Sequence, residues 1–389
     1  MSPRARDLSH FILLYAAIYG AFGTASPFWP RFFETRGLTA EEIGLLFGVG
    51  TIVRLIVGPV AGRGADLRRA LRLFLGICAF LSAGAALGLL LVNGFWPLSL
   101  IQLCESAALA PIPILADALA VTAARRENFE YGWVRGSASA AFVICLLSAG
   151  QIVGSAGFSL MVWIYAALLA GAGCAAAFVP PVEPEASIRR GQSWMALAGL
   201  RELLAEPRFR RVLVVAALIY GSHAMNDTFA IIRWSSAGIS SAGASILWSE
   251  SVAAEVVVFF VIGPKLVNWL NVGGATALSA AAGVVRWIVM AESTDIAALA
   301  LIQPLHGLTF ALTHLACMRL IGAVVPPRLA ATAQGLYLFG PGAATALMTI
   351  ASGELYALFG ARGFLFMALL CAAALPVSLG LRAQASPSR

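Results

Sequence analysis

The chain has 389 residues, of which 60% are hydrophobic and only 12% charged, and its mean hydropathy is +0.86. This composition excludes an ordinary water-soluble globular protein and leaves a polytopic membrane protein. The net charge of +7 does not point to nucleic acid, because the cations sit at the ends of apolar segments and form no basic groove.

A crossing helix needs about 20 mainly apolar residues. Twelve such windows are predicted, near 9–31, 41–62, 70–92, 95–121, 134–154, 158–179, 211–232, 241–262, 272–291, 296–322, 330–352 and 363–382. With the first end cytoplasmic, one face of the membrane collects Arg4, Arg6, Arg63, Arg68, Arg69, Arg72, Arg125, Arg126, Arg189, Arg190, Arg201, Arg208, Arg210, Arg211, Arg319, Arg328, Arg382 and Arg389. The other face holds only Arg31, Arg36, Arg233 and Arg362, so both ends are expected in the cytoplasm. The first apolar run is too long, and lacks the small-residue site, for a cleaved signal peptide. Cys78, Cys104, Cys145, Cys174, Cys317 and Cys371 lie in apolar spans without C-x-x-C spacing, which predicts neither a disulfide framework nor a metal site.

Taken in order, span 1 carries YGAFGTASPFWPRFFETRGL, and Pro27 and Pro30 predict a bent outer end. Thr39 followed by Glu42 has capping-box spacing and starts span 2. Arg54 in span 2 is expected to snorkel toward the interface. GRGADLRRALR follows, with Gly62, Asp66, Arg68, Arg69 and Arg72 between spans 2 and 3. Span 4 holds Glu105, then Pro111, Pro113 and Asp117; Glu105 reads either as a proton carrier or as a carboxylate hydrogen-bonded inside the bundle. Asp117 and Arg135 bracket the short polar turn before span 5, and ionisable groups there are by default candidates for a solute path.

Residues 183–209 are basic and proline-rich and divide the chain into bundles 1–182 and 210–389. A short amphipathic helix is predicted over 193–205. In the second bundle span 7 holds His223, Asn226 and Asp227, span 8 Glu250 and Glu255, span 9 Arg286, and span 10 His306, His314 and Arg319. Arg286 needs a partner from another helix, with Glu255 and Asp227 the obvious carboxylates. His306 and His314 are eight residues apart, roughly 80° around a regular helix, so at most one should face a cavity. Gln334 and Tyr337 in span 11 read equally as cavity lining or as packing.

PFWPRFF, GLTAEEIGLLFG, RRENFEYGWVR, LWSESVAAEV, GVVRWIVM and LHGLTF…THLACMR resemble, in order and spacing, the phenylpropionate permease branch of the major facilitator superfamily, and more distantly the lactose permease. The Gly62–Arg72 stretch is a degraded version of that superfamily's gating-loop signature, with Leu67 where an Arg follows the Asp. The resemblance implies twelve transmembrane helices in two six-helix bundles, with inverted repeats within each. It implies substrate contacts at Asp117, Arg135, Phe142, Arg286 and His306; for an aromatic carboxylate, Arg135 or Arg286 would make the bidentate contact and Phe142, Trp133 or Tyr337 the apolar walls. A Lys-x-x-His-x-x-Glu pattern becomes Gln303, His306 and Thr309, so the carboxylate that carries the proton in lactose permease is missing. Glu255, Asp227 and Glu105 are the remaining proton-coupling candidates.

The expectation is a proton-coupled secondary transporter of a small aromatic carboxylate, monomeric, in the cell's inner (plasma) membrane, with no cofactor and no enzymatic chemistry. A sugar or nucleoside symporter, an efflux pump and a non-transporting sensor stay open as alternatives.

Overall fold

The computed structural model describes residues 3–127, 129–180 and 193–381. Asn128, linker residues 181–192 with Arg189 and Arg190, and Arg382 and Arg389 lie outside the described residues. All regular structure among the described residues is helical: α1 (Pro3–Ala25), α2 (Trp29–Thr35), α3 (Ala40–Leu67), α4 (Leu71–Gly88), α5 (Phe95–Leu109), α6 (Pro111–Glu127), α7 (Tyr131–Phe178), α8 (Ser193–Ala205) and α9 (Pro207–Gly221). The order continues with α10 (Ala224–Ser236), α11 (Ser241–Val257), α12 (Gly263–Glu292), α13 (Ile296–Ile302), α14 (Leu305–Gly307), α15 (Thr313–Val324), α16 (Ala330–Phe359) and α17 (Phe364–Leu379). Two π turns interrupt the series, Val258–Ile262 between α11 and α12 and Leu308–Leu312 between α14 and α15.

Among the described residues, eight helical stretches are long and apolar enough to cross a bilayer, three of them 48, 52 and 53 residues long. Each of those three is twice a crossing length and is broken once by a positive-φ residue: Gly157 at 79°, Asn271 at 55° and Gly360 at 55°. With α9 and α10 supplying the remaining crossing, twelve spans result, as predicted. The bend after α1 falls at residues 26–28, beside Pro27 and Pro30. α5 gives way to α6 at Ala110, just before Pro111, and α8 occupies the 193–205 predicted for it. The capping box is formed: Glu42 N–H donates to Thr39 Oγ1 at 3.3 Å, and Thr39 N–H donates to Glu42 Oε2 at 2.9 Å.

By internal packing the chain forms two compact units, Met1–Ser187 with Gly238–Ile246, and Ile188–Ala237 with Leu247–Arg389. In the first, α1 and α4 pack on α7, and in the second α12 packs on α17 and α9 on α16. Two of the four arginines expected on the arginine-poor face tie neighbouring segments together. Arg36 donates to Asn93 Oδ1 at 2.9 Å, and Arg233 donates to the carbonyls of Ala291 and Ser293, both at 3.1 Å, at the end of α12. A cation at a helix C-terminus satisfies orphan carbonyls and complements the dipole.

The Gly62–Arg72 signature is mostly helix, since Gly62 and Asp66 lie inside α3 and only Arg68 to Ala70 form the turn. Asp66 has no ion-pair partner among the described residues. Arg69 takes φ 50°, a left-handed position that glycine or asparagine fills at the other positive-φ turns. A left-handed conformation costs an L residue about 1–2 kcal/mol, part of which glycine's freer unfolded chain offsets. Arg69→Gly is therefore expected to raise the thermal unfolding midpoint of the protein in neutral detergent; an unchanged or lower midpoint would contradict this account.

Candidate functional site

In the first unit Asp117, on α6, faces α1 and the start of α7. Its Oδ1 accepts from Tyr15 at 2.5 Å and from Tyr131 at 2.8 Å, and Arg135 Nη1 lies 3.8 Å away. The predicted pair is thus a loose one, half-exposed on both sides, with tyrosines making the close contacts. Arg135 donates instead to Tyr19 Oη at 2.7 Å and sits 5.3 Å over that ring. Tyr15 and Tyr19 are one turn apart on α1, as are Tyr131 and Arg135 on α7, so all four reach one point. Trp133 does not join them. It falls on the opposite side of α7 and is 67% exposed, which removes it from the apolar wall expected of it. Phe142 is two turns beyond Arg135, half-buried where its backbone crosses Gly23 of α1.

Glu105 has another setting. It is 1% exposed and accepts from Ser82 at 3.0 Å, from Gln102 at 3.1 Å and, closely, from Tyr165. Arg54 does not snorkel, because this buried carboxylate draws it inward: it donates to Thr51 Oγ1 at 2.9 Å and to Ser106 Oγ at 3.4 Å, within electrostatic reach of Glu105. A carboxylate so fully hydrogen-bonded holds helices together. Glu105→Ala strands three polar partners and a buried cation, and is expected to cost about 3 kcal/mol or more of stability. Transport per folded molecule should be unchanged; a stable Glu105→Ala protein that no longer couples would give Glu105 the proton-carrying role.

The second unit gathers most of the remaining candidates. Glu255 near the end of α11 lies 3.6 Å from Nε2 of His306 in α14, and His306 Nδ1 lies 3.3 Å from Arg286 Nη1 of α12. Gly307 permits this approach, since a Cβ there would stand 2.6 Å from the Ala254 carbonyl oxygen. One face of α11 carries both Glu255 and Ser251, and Ser251 donates to Gln303 Oε1 at 2.7 Å. Arg286 also donates to Thr309 Oγ1 at 3.0 Å and stacks 4.5 Å over Trp287. The guanidinium is 1% exposed, its Nε has no partner, and no carboxylate among the described residues is within ion-pair distance. Of the two candidate partners, Glu255 is separated from Arg286 by His306, and Asp227 acts on it from beyond ion-pair distance. Asp227 is exposed on α10, accepts from Asn226 at 3.3 Å, and lies within electrostatic reach of Arg286 and His306.

His223, named in the sequence without a role, sits at the break between α9 and α10 with its ring 5.1 Å from that of His306. Tyr337 is buried, its hydroxyl 3.2 Å from that of Tyr220 and 3.5 Å from Nδ1 of His314. His306 and His314 are both within electrostatic reach of Glu255, although a regular helix would hold them roughly 80° apart. The π turn at Leu308–Leu312 supplies the reason. It takes in one residue more than an α turn, so eight steps advance as seven would and leave the imidazoles roughly 20° apart.

A family model, the MFS_1 like family, matches residues 7–368. The chain belongs to that family. It is 31% identical to the "Probable 3-phenylpropionic acid transporter" of Escherichia coli (strain K12), over 96% of this chain and 97% of that protein. Among solved structures, a mutant of the nucleoside transporter NupG superposes with a TM-score of 0.84 at 19% identity, covering 97% of this chain and 100% of its own. A bacterial homologue of the human lysosomal transporter Spinster gives a TM-score of 0.76 at 13% identity, with 98% and 97% covered. The protein is a multi-pass membrane transporter of the major facilitator fold and not an enzyme.

Proposed function

We propose that the protein is a proton-coupled transporter of a small aromatic carboxylate, working by alternating access of two bundles joined through residues 183–209. The observation that carries this reading is Arg286, a buried guanidinium with a free Nε and, among the described residues, no carboxylate within ion-pair distance. A buried cation is costly unless an anion meets it, and a guanidinium fork matches a carboxylate in two parallel hydrogen bonds. The substrate's carboxylate is that anion. Phe310, stacked on His306 at 5.6 Å, and Tyr220, 5.4 Å from Phe310, supply aromatic surface nearby. Glu255 and His306 hold the proton, doing the work of the carboxylate that Thr309 replaces. The 31% identical relative, named for 3-phenylpropionic acid, favours the same substrate class. We place the protein in the bacterial inner membrane as a monomer, both ends on the arginine-rich cytoplasmic side.

A second reading rests on Asp117, whose half-exposed carboxylate among three tyrosines suits a hydroxyl-rich solute such as a sugar or nucleoside. One assay separates the two. Proteoliposomes are given labelled 3-phenylpropionate, a galactoside or a nucleoside, with and without an inward proton gradient. Gradient-driven uptake of the aromatic acid alone is expected. Uptake of the galactoside or nucleoside alone would replace the first reading by the second, and uptake indifferent to the gradient would remove proton coupling.

A further inference from the structure

A groove of about 560 Å³ runs between α4 and the second half of α7, and it shares no residue with either charge cluster. Arg69 and Arg72 stand at one end of it. Along α4 its wall is apolar and uncovered, with Leu73 62%, Ile77 48% and Phe80 50% exposed. Those three are four and three residues apart and so form one stripe down the helix. The floor is made of small residues, and at Gly173 a Cβ would stand 2.8 Å from the Phe80 ring. No acidic residue lines the groove.

We propose that this groove binds an anionic phospholipid, with the phosphate on Arg69 and Arg72 and an acyl chain along Leu73, Ile77 and Phe80. Charge and depth both favour this occupant. Arg72 is held in place by donating to the Ala177 carbonyl at 2.8 Å, while the Arg69 side chain has no hydrogen-bond partner among the described residues. Both belong to the arginine-rich end of the spans, where a bilayer presents phosphates to basic side chains. From Arg72 to Phe80 the helix descends about 12 Å, close to the depth of one leaflet's hydrocarbon. A small water-soluble anion would use the arginines and leave the apolar wall empty. A zwitterionic lipid would use the wall and gain less from the arginines.

The test is native mass spectrometry of the purified full-length protein offered equal amounts of dioleoyl phosphatidylglycerol and dioleoyl phosphatidylcholine. The wild type is expected to retain the anionic lipid preferentially. Arg69→Gln, which breaks no contact within the protein, should lower that retention about fivefold, and Arg69→Gln with Arg72→Gln further, leaving phosphatidylcholine unchanged. Gly76→Leu should reduce lipid retention by filling the groove, since its Cβ meets only the Gly173 carbonyl oxygen at an ordinary 3.5 Å. Equal retention of both lipids by the wild type, or phosphatidylglycerol retention indifferent to the arginines, would overturn the proposal. So would glycerol 3-phosphate held as firmly as the lipid, or no lipid held because the chain's own linker fills the groove.

Discussion

Replacing Arg286 by glutamine is expected to abolish measurable binding and uptake of the aromatic acid while leaving the protein as stable as the wild type, or more so. The two halves of that expectation have opposite signs for one reason. In the empty protein the guanidinium is buried beside a histidine and a threonine with no carboxylate in contact, so removing its charge relieves a desolvation cost. With substrate bound, the same charge meets a carboxylate in a site shielded from water. Losing one partner of such a pair costs about 2–5 kcal/mol, or roughly thirty- to several-thousand-fold in affinity. Arg286→Lys should recover only part of this, because a lysine keeps the charge and loses the fork. Calorimetric or fluorescence binding, read beside a thermal melt, decides the matter. If Arg286→Gln lowers stability and leaves affinity intact, the arginine is structural and the carboxylate site lies elsewhere.

The second large effect is expected at Glu255. Glu255→Gln keeps a side chain of the same shape opposite His306 but cannot carry a proton. Accumulation against a gradient should fall to the ratio set by passive equilibration, while exchange of labelled for unlabelled substrate continues. The contrast follows because exchange needs both conformations with substrate bound, whereas uphill transport also needs a proton loaded on one side and released on the other. Undiminished uphill uptake by Glu255→Gln would move the coupling role to Asp227, the other coupling candidate of this unit.

Much of the architecture was readable in the sequence because it is written in local terms. Apolar runs of crossing length, Pro27, Pro30 and Pro111 at helix breaks, and the Thr39–Glu42 cap each act within a few residues. Asp117 and Arg135 were legible from their spacing about a short turn. Their tyrosine partners were not, since Tyr15 and Tyr19 lie in a long apolar helix where nothing local separates a ligand from packing; only their one-turn spacing hinted at it. The distances around Arg286 were not legible, because sequence shows which charges exist but not that His306 stands between Arg286 and Glu255 or that Asp227 acts from beyond ion-pair distance. The relative facing of the two histidines of span 10 was not legible, because periodicity assumes a regular helix and the π turn at Leu308–Leu312 changes the count.

His306 is the common neighbour of Glu255 and Arg286, one on each ring nitrogen. On the proposed assignment this places the solute's charge and the coupling proton on the two sides of a single imidazole. Thermodynamic linkage then fixes their relation without any further moving part: the factor by which a bound anion tightens the proton equals the factor by which a bound proton tightens the anion. Substrate affinity measured against pH and proton affinity measured against substrate must therefore report one coupling constant, whichever direction the gradients drive the cycle.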